Sequence, residues 1–212
     1  CKLWDRHYGR IPDFLILEGP EAGGHLGFSR QDLDAPPSLS DLLREVLTTI
    51  APFRDKAGRD IPVFVAGGVK NGADMARYMK EGAAGAQFAT RFIATAECDA
   101  SDGYKQRLLN ASPGDITLVK SPVGMPGRAL RSPLIRRVED GTQPPPDRCM
   151  KCITTCDGKN APYCISRALI AARNGDWENG LFFCGANAGE INTLSTVQQQ
   201  MAQIMDEWRN AQ

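Results

Sequence analysis

Three short apolar segments constrain this chain more than any other feature, because each is closed by glycine or small residues and separated from the next by a helical pattern. FLIL at residues 14–17 lies between Pro12 and Gly19. VFVA at 63–66 runs straight into Gly67 and Gly68, and AGAQFATRF occupies 84–92. An aliphatic run without polar alternation fits a strand covered on both faces, as in a parallel sheet. Between the first two segments, Leu39, Leu42, Leu43, Val46 and Ile50 recur at helical spacing, and Ser38 with Asp41 has the form of a capping box. Between the second and third, NGADMARYMKEG reads as a short helix with Asn71 as N-cap and Gly82 as its stop.

Strand, helix, strand, helix, strand with short connections implies parallel strands joined by right-handed crossovers. The expected class is α/β, and either a doubly wound sheet or part of a (β/α)8 barrel satisfies the pattern. Both architectures place ligands at the carboxyl ends of the strands, where this chain puts its glycines. Nothing in the composition argues for another class: 42% hydrophobic and 24% charged residues describe a globular chain. With 25 basic against 25 acidic residues the net charge is zero, and no basic run offers itself to a phosphate backbone, so nucleic acid is not an expected partner. No apolar stretch approaches the ~20 residues that span a bilayer, and no signal-peptide pattern opens the chain, so the expectation is a cytoplasmic protein with no membrane partner.

The first strand breaks into EGPEAGGHLGF, which holds one of only two histidines in the chain. Glycine admits close main-chain approach and positive φ, so Gly23 and Gly24 let a flat ligand or a phosphate reach the backbone. His25 would face the same cleft, and an imidazole titrates in the range useful for proton abstraction. The competing structural reading is a histidine that bonds a loop carbonyl. Gly67 and Gly68 form a second such turn just before a helix N-terminus, a ready phosphate site. Ala89, Thr90 and Arg91 end the third segment with a small residue, a hydroxyl and a guanidinium. Neither G-x-G-x-x-G nor a P-loop pattern is present.

EGPEAGGHLGF, IPVFVAGGVKNGADMARYMKEGAAGAQFATRF and KSPVGMPGRAL, in that order and spacing, resemble the nitronate monooxygenase family, which includes the closely similar flavin-dependent enoyl-acyl-carrier-protein reductases. The resemblance runs from about Pro12 to Leu130 and continues less distinctively to the C-terminus. It implies a TIM-type barrel that binds FMN, with the three strands as the sixth, seventh and eighth, and strands one to five outside these residues. It implies that His25 lies beside the flavin as base or proton donor and that Gly23 and Gly24 approach the ring. By the same match, Ala66, Gly67 and Gly68 hold the FMN phosphate, and Gln87 corresponds to the usual glutamine. Ala89-Thr90 stands where Gly-Thr is usual, which adds a methyl beside the phosphate. The implied activity is oxidation of small-molecule alkyl nitronates or nitroalkanes with dioxygen. Reduction of an enoyl thioester is the alternative within the family.

Cys149, Cys152, Cys156 and Cys164 follow a Pro- and Gly-rich stretch with the spacing C-x2-C-x3-C-x7-C. Four thiolates can hold zinc or an iron–sulfur cluster, although neither standard spacing is matched. The plain alternative is a loop of free thiols with Cys164 as a small core residue. A reading of another class follows: a non-catalytic Cys-rich metal-binding module on a barrel remnant. The expected organisation is a barrel portion over 1–130, then a Cys-rich segment and helical extension over 131–212. A helix is expected over about 163–174 and a last one capped by Ser195 and Gln198. Cys1 opens on what reads as the tail of a helix feeding a strand, which suggests an upstream portion. These residues alone would then bind FMN poorly.

Overall fold

The computed structural model describes residues 1–212 apart from Met150 and Thr155. In chain order the elements begin with α1 (Lys2–Tyr8), β1 (Leu15–Glu18), β2 (Gly24–His25), α2 (Arg30–Asp34), α3 (Leu39–Ala57), β3 (Val63–Ala66), α4 (Gly72–Lys80) and β4 (Gly85–Gln87). They continue with α5 (Thr90–Ile93), α6 (Asp102–Leu109), β5 (Ile116–Lys120), β6 (Pro126–Leu130), α7 (Pro133–Glu139), α8 (Ile165–Arg173) and α9 (Val197–Asn210). The chain forms two compact units. One comprises Cys1–Pro20, Ala35–Phe88 and Met201–Gln212; the other comprises Glu21–Asp34 and Ala89–Gln200. Among the described residues no helix is long and apolar enough to cross a membrane.

The first unit is α/β. Its sheet has the order β1-β3-β4, and both pairings are parallel. The three expected strands therefore lie side by side. Leu15 and Leu17 pair with Val63 and Val65 and share one apolar cluster with Leu39, Leu43 and Ile50 of α3. Local signals set the helices. The Ser38 hydroxyl accepts from the Asp41 N–H at 3.1 Å, and Asn71 Oδ1 accepts from the Asp74 N–H at 2.8 Å. Each bond satisfies an N–H that the helix itself cannot pair. Gly82 follows α4 at φ 109°, where a side chain would be strained.

Two strand expectations need correction. The first strand is not covered on both faces: Leu15 and Leu17 face α3, whereas Phe14 is 53% and Ile16 49% exposed. Only one face of the sheet has a helix to pack on, so the alternate residues remain open. On that open face Phe14 meets Phe64 edge-on at 5.9 Å, and Phe64 covers Gly85, where a Cβ would stand 3.1 Å from its ring. The third strand does not reach Phe92. It ends at Gln87, and Ala89 (φ −129°, ψ −62°) turns the chain into α5.

The second unit holds an antiparallel sheet, β2-β6-β5, that was not expected from the sequence. The stretch read as irregular loop is a hairpin from Ile116 to Leu130. Its Pro126 opens β6, a position where a missing N–H costs little. Phe182, fully buried, packs between Tyr104 and Trp177 and sends its carbonyl to the Leu130 N–H at 2.9 Å. The Tyr104 hydroxyl donates to the Phe183 carbonyl at 2.7 Å, so residues after Gly180 are fixed alongside β6. The last helix starts one residue later than expected. Thr196 and Gln199, not Ser195 and Gln198, exchange the reciprocal cap bonds at 3.1 and 2.9 Å.

Candidate functional site

The expected site residues fall into two groups, one in each unit. In the first unit, parallel register sets Glu18 opposite Ala66 and Ala66 opposite Gln87, so the carboxyl ends of all three strands are level. Gly19 donates to the Ala66 carbonyl at 2.8 Å, and a Cβ on Gly19 would meet the Gly67 carbonyl oxygen at 2.6 Å. Only glycine lets the two turns close this tightly. Gly67 and Gly68 have φ values of 70° and 105°, which L side chains rarely adopt. Partial burial at the strand end pushes the Glu18 carboxyl above its ordinary range.

The start of α4 is already provided with acceptors. Lys70 N–H donates to Asp74, Gly72 N–H to Glu207 at 2.9 Å, and Asp74 N–H to Asn71. The donors expected from the helix N-terminus are committed within the protein. The left-handed Gly67-Gly68 turn is what distinguishes this strand end.

In the second unit His25 sits on β2, paired with Gly127 of β6. Its Nε2 lies 2.7 Å from the buried Ser121 hydroxyl, and its ring meets Phe183 edge-on at 5.0 Å. Burial lowers the imidazole pKa, which keeps the ring neutral and able to accept a proton near pH 7. Gly24 has φ 76°. Gly23 is pressed by another strand of main chain: a Cβ there would stand 2.4 Å from the Cys184 carbonyl carbon and 2.6 Å from the Gly185 nitrogen. Gly185 N–H in turn donates to Thr90 Oγ1 at 2.9 Å. Gly23, Gly24, His25 and Thr90 are thus drawn together through Cys184 and Gly185. Arg128 acts as a clamp, donating to the Ala22 carbonyl at 2.6 Å.

Ser121, Phe183 and Gly185 belong to this group and were not singled out from the sequence. Ser121 opens SPVGMPGR, and a serine beside a proline-glycine turn reads locally as a turn residue. Its histidine partner lies 96 positions away. The four cysteines are all free thiols that border one cavity. Among the described residues no group of three or more Cys, His, Asp or Glu side chains stands arranged as a metal ligand set.

Parallel strands whose carboxyl ends stand level, two of them at glycine turns, define the class of the first unit as α/β. The family profile described as nitronate monooxygenase matches residues 1–207, and the chain belongs to that family. A 5-hydroxy-7a-methyl-1-oxo-octahydro-1H-indene-4-carboxyl-CoA dehydrogenase of Mycobacterium tuberculosis is 34% identical over 131 residues, 62% of this chain and 33% of that protein. The nitronate monooxygenase npaC of Metarhizium robertsii is 37% identical over 111 residues, 52% of this chain and 28% of that one. Among solved structures, FabK from Thermotoga maritima superposes with a TM-score of 0.70 at 28% identity, covering 99% of this chain and 57% of that one. The chain spans about a third of the length of these curated relatives.

Proposed function

We propose that this chain is the C-terminal part of an FMN-dependent oxidoreductase that oxidises alkyl nitronates or nitroalkanes, and that β1, β3 and β4 are the last three strands of a TIM-type barrel. One observation carries the reading: three parallel neighbours end level, the first two of them at glycine turns. The uncovered apolar face of Phe14, Ile16 and Phe64 supports the barrel, since such a face belongs against further strands.

The residues fit a flavin phosphate and ring. Gly67 and Gly68, at φ 70° and 105°, carry the main chain out of β3 past Ala66 without a side chain. By the resemblance to the family, Gln87 would supply an amide and Thr90 a hydroxyl, with Ala89 standing where glycine is usual. FMN, when bound, supplies the acceptor for the electron pair. His25 supplies the proton chemistry. A neutral imidazole, held by Ser121 at one nitrogen and oriented by Phe183, takes a proton from the carbon α to a nitro group. Gly24 leaves the main chain beside that ring without a side chain, and Gly23 lets the Cys184-Gly185 main chain close on the turn.

The test uses the natural polypeptide that carries these residues. It should purify yellow with one FMN, and His25→Gln should keep the FMN while turnover of a nitroalkane falls by roughly 10²-fold or more. A colourless protein that takes up no FMN would sink the proposal. So would a His25→Gln variant with full turnover.

A further inference from the structure

We propose that Cys149, Cys152, Cys156 and Cys164 form a tetrathiolate metal site that takes an iron–sulfur cluster or zinc, separate from the residues assigned to FMN. The four thiols border one small cavity. Arg148 and Lys151 border it too and offset part of the negative charge that thiolates would bring.

The local backbone is shaped around sulfur. Lys151, between the first two cysteines, takes φ 53°, the one left-handed non-glycine among the described residues. In that conformation its N–H points back at Cys149 Sγ, 3.4 Å away. Peptide N–H groups aimed at sulfur favour the thiolate and tune a bound metal centre. Gly158 is fitted against the same sulfur: a Cβ there would stand 2.7 Å from Cys149 Sγ. Cys164 is the N-cap of α8, and its thiol makes no cap bond to that helix. Cys152 Sγ lies 3.2 Å from the Ser166 hydroxyl on that helix.

The thiols share the cavity without yet being drawn into a ligand set. Cys149 and Cys152 are exposed, so a metal ion can reach them from solvent. A thiophilic cation draws the four sulfurs that border the cavity together. Each sulfur then gives its proton to solvent and binds the metal, so loading zinc releases up to four protons. Four thiolates and no other ligand type select zinc or an iron–sulfur core over magnesium or calcium.

The experiment is metal and sulfide analysis of the chain purified without oxygen, with thiol counting before and after acid release. Iron with acid-labile sulfide supports the site as a cluster; zinc alone supports it as a structural ion. In either case Cys1 and Cys98 titrate before release, buried Cys184 does not, and all seven cysteines titrate once acid has released the metal and unfolded the chain. In parallel, the reduced metal-free chain is titrated with cobalt(II). One equivalent should bring a thiolate-to-cobalt charge-transfer band and strong tetrahedral visible bands. Cys149→Ala combined with Cys156→Ala should lose both, and Cys98→Ala should keep them. Purified chain with no metal, all four of Cys149, Cys152, Cys156 and Cys164 reactive before acid release, and no cobalt band overturns the proposal. The FMN reading is untouched by that outcome, because flavin content is scored separately.

Discussion

Three glycines within five residues separate two physical demands that are usually confounded. Gly23 has no positive φ, but a Cβ there would fall 2.4 Å from the Cys184 carbonyl carbon and 2.6 Å from the Gly185 nitrogen. Both obstacles are main chain, held in turn by Gly185 N–H on Thr90 and by the Phe183 carbonyl on Tyr104. They cannot swing aside as a side chain would. Gly24 is the reverse case: φ 76°, with nothing nearer to a Cβ than a Phe183 ring carbon at 4.0 Å. Gly27 has neither constraint, with open space and no positive φ. Overpacking costs roughly 1–3 kcal/mol and more against rigid neighbours, so Gly23→Ala is expected to cost about 3 kcal/mol. A left-handed L residue costs about 1–2 kcal/mol, which sets Gly24→Ala. Gly27→Ala restricts only the unfolded chain and should be neutral or stabilising by about 0.4–1 kcal/mol. For a chain of this size each kcal/mol moves the melting temperature by roughly 2–4 °C. Thermal unfolding followed by circular dichroism should therefore show a loss of about 6–12 °C for Gly23→Ala, a smaller loss for Gly24→Ala and no loss for Gly27→Ala. If Gly23→Ala melts with Gly27→Ala, the main chain of Cys184 and Gly185 does not press on the turn, and the assembly around His25 described above is wrong.

The histidine gives a pH prediction with a definite sign. Burial holds the folded His25 below the ordinary value of 6.5, so the folded state binds fewer protons than the unfolded one just under that pH. Its contribution to stability is complete above 6.5 and is lost as pH falls through the lower folded value; His25→Gln should flatten that part of a stability–pH curve, and an unchanged slope would refute it. Ser121→Ala removes the buried partner 2.7 Å from the ring and should cost about 1 kcal/mol in denaturant unfolding at pH 7, with a moved His25 ring resonance. An unmoved resonance would mean that the contact is not made. Burial pushes the Cys184 thiol up to about 12, so iodoacetamide at pH 8 should leave Cys184 intact while modifying Cys149 and Cys152 in metal-free chain. Mass spectrometry of tryptic peptides decides it, and alkylation of Cys184 at the rate of Cys149 would contradict the burial.

What could be read in advance follows from how far each interaction reaches along the chain. Ser38 with Asp41, Asn71 with Asp74 and Gly82 act within a single helical turn, and each stands in its expected role. Strand order was legible for a similar reason, since short connections leave parallel crossovers little freedom. Strand limits were not. Phe92 looked like the end of a strand because its neighbours are apolar, yet Ala89 leaves the extended region and starts α5. The hairpin of β5 and β6 was hidden by its Pro and Gly content. Gly127 is needed there because a Cβ would crowd the Gly24 carbonyl at 3.1 Å, a demand that exists only once β2 lies alongside.

The same logic separates what was legible in the site from what was not. A diglycine before a histidine after a buried strand marks a place where main chain is kept bare, and that mark is local. The hydroxyl that holds the ring, the aromatic edge beside it and the main chain that makes Gly23 obligatory come from Ser121, Phe183, Cys184 and Gly185. None of these carries a local signature, because each acquires its role only when β2 and Phe183 both pair with β6. A glycine in sequence announces that something comes close. Only the fold says what, and here it is the FFCG segment, whose packing on Tyr104 and Trp177 is what keeps His25 in place.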